Sequence, residues 1–312
     1  MLSDTKEILQ LIKSYGFMYG LITIVTSISF KLFPESQFNH KLNFIKYRMV
    51  SNYIEQNYKD LIEKYKSKEK NKAKRLKQSK IIWLFWWQGE DKAPQIVKAC
   101  IKNIKKNAGN NKVILIDKSN YQHYAHIPNF IVLQVQNNSI SVTHFSDILR
   151  FCLLSEHGGA WIDSTVFVND DLSKITNYPF YTVKHGLFSK WHVCRGLWST
   201  FFIESFAENP GILLIRDILI EYAKTNKNWM AYLFTDAVIG VVYDNIPSFK
   251  LLVDSVPFNN AKVFDMFKDL NLNISLFNIP SSINKLSYKF DVEKFNNNSN
   301  SVYHYLINDE LK

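Results

Sequence analysis

The amino-acid sequence predicts an α/β fold with a mostly parallel sheet flanked by helices, preceded by a helical N-terminal extension. Short apolar runs alternate with stretches of helical periodicity, the order that right-handed crossovers between parallel strands require. In addition, a periodic helix at residues 144–157 ends in paired glycines and leads directly into a short apolar run that stops at Asp163. These two observations together indicate one α/β domain.

Three apolar runs supply predicted strands. Residues 81–87 form an aromatic-rich run that is too short to cross a membrane, and they predict a buried first strand. Residues 113–117 predict a second strand that ends on Asp117, and residues 130–135 predict a third. Residues 94–107 have helical spacing, with a proline in the first turn and basic residues near the end. We therefore expect the order strand, helix, strand, strand in this region.

The helix at residues 144–157 places two polar groups side by side. Asp147 and Arg150 are three residues apart, so they are neighbours at the edge of an apolar helix face. Arginine holds a diphosphate with a rigid fork of donors, and aspartate accepts hydrogen bonds from ribose hydroxyls. Gly158 and Gly159 end the helix and allow the backbone to approach a ligand, and Asp163 follows at the carboxyl end of the next strand, where open α/β sheets bind ligands. A surface ion pair followed by an ordinary strand is the alternative, but the complete ordered set favours a nucleotide site.

The order of these residues resembles that of a known family. The residues that carry the resemblance are Ser146, Asp147, Arg150, Gly158, Gly159, Trp161 and Asp163. Over residues 80–170 the chain is similar to GT-A glycosyltransferases, which include the DXD sugar transferases of glycosyltransferase family 32, the large clostridial glucosylating toxins and, most closely, the bacterial capsular polysaccharide synthesis proteins. The resemblance implies a GT-A, Rossmann-like fold, with Asp147 and Arg150 as nucleotide and phosphate ligands and Asp163 as the first Asp of the DXD element.

The DXD element departs from the family pattern at its third position. Thr165 stands where the pattern has its second Asp, and a neutral hydroxyl is a poorer ligand for a hard cation than a carboxylate. The resemblance implies Mn²⁺ or Mg²⁺ on the diphosphate, with Asp163 as a ligand, but Thr165 puts this metal dependence in doubt. His304 is a candidate metal or phosphate ligand from the C-terminal part, although a lone histidine is also typical of packing or surface positions.

The first strand carries the candidates for binding the base. By the resemblance, Trp86 stacks on uracil, and Phe85 lies on the same nucleotide side, since stacking is strong and needs no charge. Asp117 is either a second nucleotide contact or a solvated turn residue. The other candidates for binding the nucleotide sugar are Gln88, Gly89, Gly159 and Trp161.

The C-terminal half is expected to supply the acceptor side. Residues 197–204 predict a strand, and residues 211–222 and 228–243 predict two helices. The second helix carries Asp236 among apolar residues, and an acid in such a place is expensive unless it has a partner or a function. We therefore expect Asp236 to act with Asp163 and Arg150 as a catalytic residue that orients the acceptor or the donor sugar. An Asp at the edge of the buried face is the alternative.

The predicted catalytic domain spans residues 80–312, with a nucleotide-sugar half at 80–170 and an acceptor half at 171–312. Residues 1–79 are predicted to form a separate helical and basic extension. Residues 15–30 carry no charge but are slightly too short and too polar for a membrane span. Residues 58–80 contain ten Lys or Arg against three acids. Docking on an anionic membrane surface and a merely solvated basic helix both explain this block.

The net charge of +10 comes without a recognisable nucleic-acid-reading motif, which argues against a nucleic-acid partner. Three cysteines without metal spacing indicate a reducing cytosol. The resemblance implies a hexosyltransferase that moves a hexose with retention from a UDP-sugar, UDP-galactose or UDP-glucose, to a lipid-linked capsular or exopolysaccharide repeat unit. Together with the basic N-terminal segment, it leads us to expect a cytoplasmic protein that is peripheral on the inner face of the cell membrane. A phosphosugar transferase with a nucleotide-activated donor and a non-catalytic sugar-nucleotide or glycan-binding protein are the alternatives.

Overall fold

A computed structural model describes residues 5–33, 36–69, 79–174, 178–186, 191–226, 228–291 and 298–311. Consecutive helices form the N-terminal part: α1 (Thr5–Tyr15), α2 (Phe17–Leu32), α3 (Gln37–Asn57) and α4 (Lys59–Glu69). The rest of the basic segment, residues 70–78, lies outside the described residues. Within the part that is described, no helix combines the length and the apolar character that crossing a membrane requires.

Strands and helices alternate after residue 80. The strands are β1 (Ile81–Phe85), β2 (Lys112–Ile116), β3 (Gly159–Ile162), β4 (Val166–Val168), β5 (Phe180–Thr182), β6 (Phe202–Ser205) and β7 (Ile283–Lys285). The helices are α5 (Gln95–Lys106), α6 (Asn129–Gln136), α7 (Val142–His157), α8 (Pro210–Thr225), α9 (Phe234–Asn245), α10 (Pro247–Ser255), α11 (Asp265–Lys268) and α12 (Val302–Ile307).

The central sheet has the strand order β2-β1-β3-β6-β5. Strand β1 is parallel to both β2 and β3, whereas β6 is antiparallel to both of its neighbours. Four of these five strands therefore run in one direction, and the predicted α/β class with a mostly parallel sheet flanked by helices is confirmed. Strands β4 and β7 pair separately as a small antiparallel sheet.

Side chains on the two faces of the sheet enter two hydrophobic cores. Ile82 and Leu84 of β1 point into the core that contains α5 and α12, whereas Trp83 and Phe85 point into the core that contains α7, α8 and α9. This alternation is what a strand buried on both faces requires. The three cysteines, Cys100, Cys152 and Cys194, are free and buried.

The paired glycines are required where α7 meets the sheet. Gly158 ends α7 with φ of 67°, and Gly159 begins β3 with φ of 93°, a region that favours glycine. A Cβ at Gly158 would collide with the backbone of residues 205–207, and one at Gly159 would collide with the carbonyl of Ile81. The glycines thus let β3 pack between β1 and β6, and this delivers Asp163 to the carboxyl end of the sheet.

Three predictions of secondary structure need correction. Residues 130–135 are not a strand but belong to α6, where Ile131 and Val135 are buried and Leu133 between them is 60% exposed, the pattern of a helix face. The strand predicted for residues 197–204 begins only at Phe202. The helix predicted for residues 228–243 begins at Phe234, because residues 228–233 form a loop held by tyrosine hydroxyls.

Tyrosines join the N-terminal helices to α8 and to this loop. Tyr15 shares a hydrogen bond of 2.6 Å with Tyr222, and Tyr19 donates to the carbonyl of Met230 at 2.5 Å. The hydroxyl of Tyr47 accepts from the backbone N–H of Leu233 at 3.2 Å. Helix α3 also packs against α9, so the N-terminal helices support one wall of the sheet's carboxyl edge.

Candidate functional site

A cavity of about 740 Å³ opens at the carboxyl ends of β1 and β3. Its walls come from the segments that follow these two strands, from one face of α7, from the start of α9 and from the residues after β7. This is the edge at which open α/β sheets bind ligands. Eight of the predicted site residues line the cavity: Phe85, Trp86, Gln88, Asp147, Arg150, Trp161, Asp163 and Asp236.

Four predicted site residues lie outside the cavity lining. Gly89 is next to Asp117 at the adjacent loop, where the carboxylate of Asp117 accepts from the backbone N–H of Ser119 at 2.7 Å and closes a turn. Gly159 is packed against β1, as described above. His304 lies on α12, which packs against α5. Nothing in these positions tests their assignment to nucleotide or metal, which stays a prediction.

Arg150 is almost fully buried and lies at the centre of the polar residues. Its Nη1 donates to Asp147 at 2.8 Å, its Nη2 donates to Asp163 at 3.5 Å, and its guanidinium carbon lies 4.8 Å from the centroid of the Trp161 ring. Two carboxylates and an aromatic face thus hold the guanidinium in one orientation. A planar fork of fixed orientation is suited to binding an anion with two oxygens.

Asp163 follows β3 and accepts hydrogen bonds on both carboxylate oxygens. Oδ1 accepts from the indole N–H of Trp161 at 2.9 Å as well as from Arg150, and Oδ2 accepts from Lys285 at 2.9 Å. Burial alone would raise the pKa of Asp163, but Lys285 and Arg150 outweigh burial and hold the pKa below its usual range. Asp163 is therefore an ionised carboxylate that is paired with two cations.

Two further carboxylates lie deeper in the cavity and are harder to ionise. Burial raises the pKa of Asp147, although Arg150 and a hydrogen bond of 3.0 Å from the hydroxyl of Thr235 oppose the rise. Burial raises the pKa of Asp236 to about 7, against a hydrogen bond of 3.0 Å from the indole of Trp198. Asp236 consequently changes its charge near neutral pH, which is typical of functional carboxylates.

Aromatic side chains form the wall on the β1 side. Phe85, Trp86 and Trp87 all line the cavity, and the rings of Trp86 and Tyr288 meet edge to face with centroids 5.2 Å apart. The indole Nε1 of Trp86 is buried and has no hydrogen-bond partner among the described residues. A buried indole N–H usually finds an acceptor, so this group is available to a ligand that brings one.

The sequence did not indicate four residues of the site. These are Trp198, Thr235, Lys285 and Tyr288. Lys285 is one of many lysines and is separated from Asp163 by 122 positions, so no local pattern distinguishes it. Thr235 could have been found from the sequence, because it directly precedes Asp236. A hydroxyl beside that acid, in an otherwise apolar helix, indicates a second polar group at the same place.

Comparison with known proteins gives one match. The family model described as capsular polysaccharide synthesis protein matches residues 31–306. Neither the curated proteins nor the solved structures gave a significant match. The matched range includes α3, α4 and the whole cavity described above, together with the segments that follow β1 and β3.

Proposed function

Since the chain belongs to the capsular polysaccharide synthesis protein family, we propose that it is a GT-A glycosyltransferase of capsule or exopolysaccharide assembly. The donor is a UDP-hexose, UDP-galactose or UDP-glucose, and the acceptor is a lipid-linked repeat unit. The product is an α-linked sugar, formed with retention.

One observation carries this proposal. The cavity combines an aromatic wall, an arginine whose orientation is fixed, and an ionised carboxylate at the end of a strand. These three parts match the three parts of a nucleoside diphosphate donor, since aromatic rings stack on bases, guanidinium groups bind diphosphates and carboxylates accept from sugar hydroxyls. In the proposed pose Trp86 stacks on uracil and Arg150 binds the diphosphate. Asp163 and Asp147 accept hydrogen bonds from the hydroxyls of the donor.

The chemistry requires stabilisation of the leaving group. The bond between the anomeric carbon and the β-phosphate oxygen breaks, and its electron pair stays on the diphosphate. The acceptor hydroxyl forms the new bond on the same face of the sugar and passes its proton to the departing phosphate oxygen. Arg150 stabilises the negative charge that develops on the diphosphate, because it is held in place before the reaction begins. Asp236, which follows the Thr235 that bonds Asp147, accepts a hydrogen bond from the acceptor or from the donor sugar.

A panel of donors tests this proposal. The protein is incubated with UDP-, GDP- and dTDP-hexoses, and the released nucleotide is identified by mass spectrometry. We expect slow release of UDP from a UDP-hexose, since a donor bound without its acceptor is hydrolysed to some extent. Release of a nucleoside monophosphate would instead identify a phosphosugar transferase. Nucleotide binding without turnover, even with membrane extracts as a source of acceptor, would identify a non-catalytic binding protein.

Helix α2 supports the proposal of a membrane-peripheral location at the cytoplasmic face, because its buried and exposed faces are the reverse of those in an ordinary amphipathic helix. The buried positions of α2 are Tyr19, Gly20, Thr26 and Ser29, residues that are small or carry a hydroxyl. Most of its large apolar side chains are exposed instead: Phe17, Met18, Leu21, Val25, Ile28, Phe30 and Leu32. Such a row is unfavourable in water and marks an apolar partner.

A bilayer surface with anionic lipids fits this row best. Lys13 and Lys31 are exposed at the two ends of the uncharged stretch, and the chain carries a net charge of +10. Each cation near an anionic surface contributes about 1 kcal/mol to binding. Tyr19 of the same helix bonds to Met230, two residues before Tyr232, which lines the cavity and is 72% exposed. The buried face of α2 therefore contacts the loop that leads to the cavity, while its apolar row faces outward.

Vesicle sedimentation tests this location. We expect the chain to sediment with vesicles that contain phosphatidylglycerol, and less with phosphatidylcholine alone or at high salt. The double variant Leu21→Glu/Ile28→Glu should lose this binding. The control is Leu251→Glu/Leu276→Glu, which changes two apolar residues elsewhere that are even more exposed than Leu21 and Ile28, and it should bind as the parent does. Equal binding of both double variants would contradict the assignment of α2 as the membrane face.

A further inference from the structure

Lys285 ends β7, and its ammonium lies within the DXD-like segment. The Nζ donates to Oδ2 of Asp163 at 2.9 Å and to the hydroxyl of Thr165 at 2.5 Å. It also lies 5.5 Å from the centroid of the Phe201 ring. The side chain is largely buried yet lines the cavity. A cation of the protein's own therefore bridges the first and third residues of the segment Asp163–Thr165.

A divalent ion does not fit the groups in this place. Mg²⁺ and Mn²⁺ require several oxygen ligands, with carboxylates preferred. Here one oxygen of Asp163 already accepts from Trp161 and Arg150, and the other accepts from Lys285. Thr165 offers a neutral hydroxyl. Among the described residues, no group of three or more His, Cys, Asp or Glu side chains is arranged to hold a metal.

Charge balance supports the same reading. A complete DXD element with a divalent ion carries two negative charges and two positive ones. Arg150 contacts Asp163 whether or not a divalent ion is present, so it contributes equally to both cases and is left out of both sums. Asp163, Thr165 and the Lys285 ammonium carry one charge of each sign, so their sum is again zero. The replacement of the second Asp by Thr165 and the presence of Lys285 thus compensate each other. If the second Asp were present together with Lys285, an excess negative charge would remain to be neutralised.

We propose that Lys285 takes the place of the divalent ion and binds the diphosphate of the donor, so that the site works without a metal. This inference rests on the proposed function. An ammonium has three N–H donors, and two of them go to Asp163 and Thr165, which leaves the third for a phosphate oxygen. Lys285 and Arg150 then contact the diphosphate from β7 and from α7, and both stabilise the charge that develops on it as it leaves.

Calorimetry with UDP and uridine tests this assignment, because the ratio of the two affinities isolates the contribution of the diphosphate. We expect the unmodified chain to bind UDP equally in EDTA and in Mn²⁺. Lys285→Met should weaken UDP binding by about tenfold or more and leave uridine binding unchanged, because a charge-assisted hydrogen bond is lost. Lys285→Arg should restore most of the affinity for UDP. Lys268→Met, an exposed lysine outside the cavity, serves as the control.

A double variant tests whether a divalent ion can replace the Lys285 ammonium. Thr165→Asp/Lys285→Ala restores the second carboxylate and removes the ammonium, so UDP binding should become dependent on Mn²⁺ and be lost in EDTA. Circular dichroism checks that each variant is folded. UDP affinity of the unmodified chain that falls about tenfold in EDTA and returns with Mn²⁺ would overturn the inference alone. A chain that binds no UDP, GDP or dTDP would overturn the proposed function as well.

Discussion

The guanidinium carbon of Arg150 lies 4.8 Å from the centroid of the Trp161 ring, and the indole N–H of that ring donates to Asp163 at 2.9 Å. Trp161 thus joins the arginine of α7 to the carboxylate that follows β3. The ring itself is buried, so both charged groups contact a side chain that is packed in the core. The orientation of the site is therefore built by packing as well as by ion pairs.

The contacts of Arg150 predict that UDP binding requires the planar guanidinium group and not only a positive charge. Arg150→Lys keeps the charge but loses the planar guanidinium group, which donates hydrogen bonds to Asp147 and to Asp163 at the same time. We expect this variant to lose about tenfold or more in UDP affinity, because a lysine cannot make the same set of bonds. Calorimetry measures the change. Wild-type affinity in Arg150→Lys would indicate that only a charge is required there.

The raised pKa of Asp236 predicts how activity depends on pH. Burial raises this pKa to about 7, so the group is mostly protonated at pH 6 and mostly ionised at pH 8. The proposed role requires an ionised acceptor of a hydrogen bond, so the transfer rate should rise with pH through about 7. Trp198→Phe removes a bond that lowers the pKa and should move the rise to higher pH. Initial rates from pH 5.5 to 9 test this, and a rise that persists unchanged in Asp236→Asn would assign it to another group.

Glu204 gives a prediction for stability. This residue is 2% exposed in the middle of β6, its Oε2 has no hydrogen-bond partner among the described residues, and burial raises its pKa from 4.5 to about 9. The unfolded chain ionises this carboxyl near pH 4.5, whereas the folded chain keeps the proton until about pH 9. The free energy of unfolding should therefore fall as pH rises through this window, by roughly 3 kcal/mol at pH 7.

A neutral isostere at this position tests the expectation. Glu204→Gln should be more stable than the parent at pH 8, by roughly 4 kcal/mol, and nearly equal to it at pH 4.5. Urea denaturation at the two pH values measures the difference. Glu221→Gln, which removes a half-exposed glutamate charge on α8, is the control for the loss of a carboxylate alone. A difference of the same size at both pH values would refute the burial argument.

The contact between Tyr47 and Leu233 predicts that the N-terminal helices influence the site. The Tyr47 hydroxyl accepts from the backbone N–H of Leu233, which lines the cavity. Tyr47→Phe leaves this N–H without its partner and should lower the free energy of unfolding by about 1 to 3 kcal/mol. It should also raise KM, since the cavity wall loses a support. Tyr53→Phe, which loses only a long bond of 3.4 Å, should leave KM unchanged.

Much of the site was predictable because its signals are local. Asp147 and Arg150 are one helical turn apart, and the glycines and Asp163 follow within a few residues, so periodicity and chain order place them together. The same local reasoning was wrong for residues 130–135, where an apolar run fits a strand and a helix equally well until tertiary packing decides.

The rest depends on contacts between distant parts of the chain. Lys285 reaches Thr165 across 120 positions, and Trp198 reaches Asp236 across 38. A sequence pattern has no means of pairing such residues. The exposure of the apolar row on α2 was equally hidden, since an uncharged stretch does not reveal which of its faces packs against α1 and α3.

The central claim is that the cavity binds a nucleoside diphosphate through Trp86 and Arg150, and calorimetry with UDP tests it most directly. We expect the unmodified chain to bind UDP, and both Trp86→Ala and Arg150→Ala to bind it about tenfold or more weakly, because base stacking contributes about 1 to 3 kcal/mol and a charge-assisted contact a similar amount. Unchanged UDP affinity in both variants, with the fold intact by circular dichroism, would contradict the assignment of this cavity as the donor site.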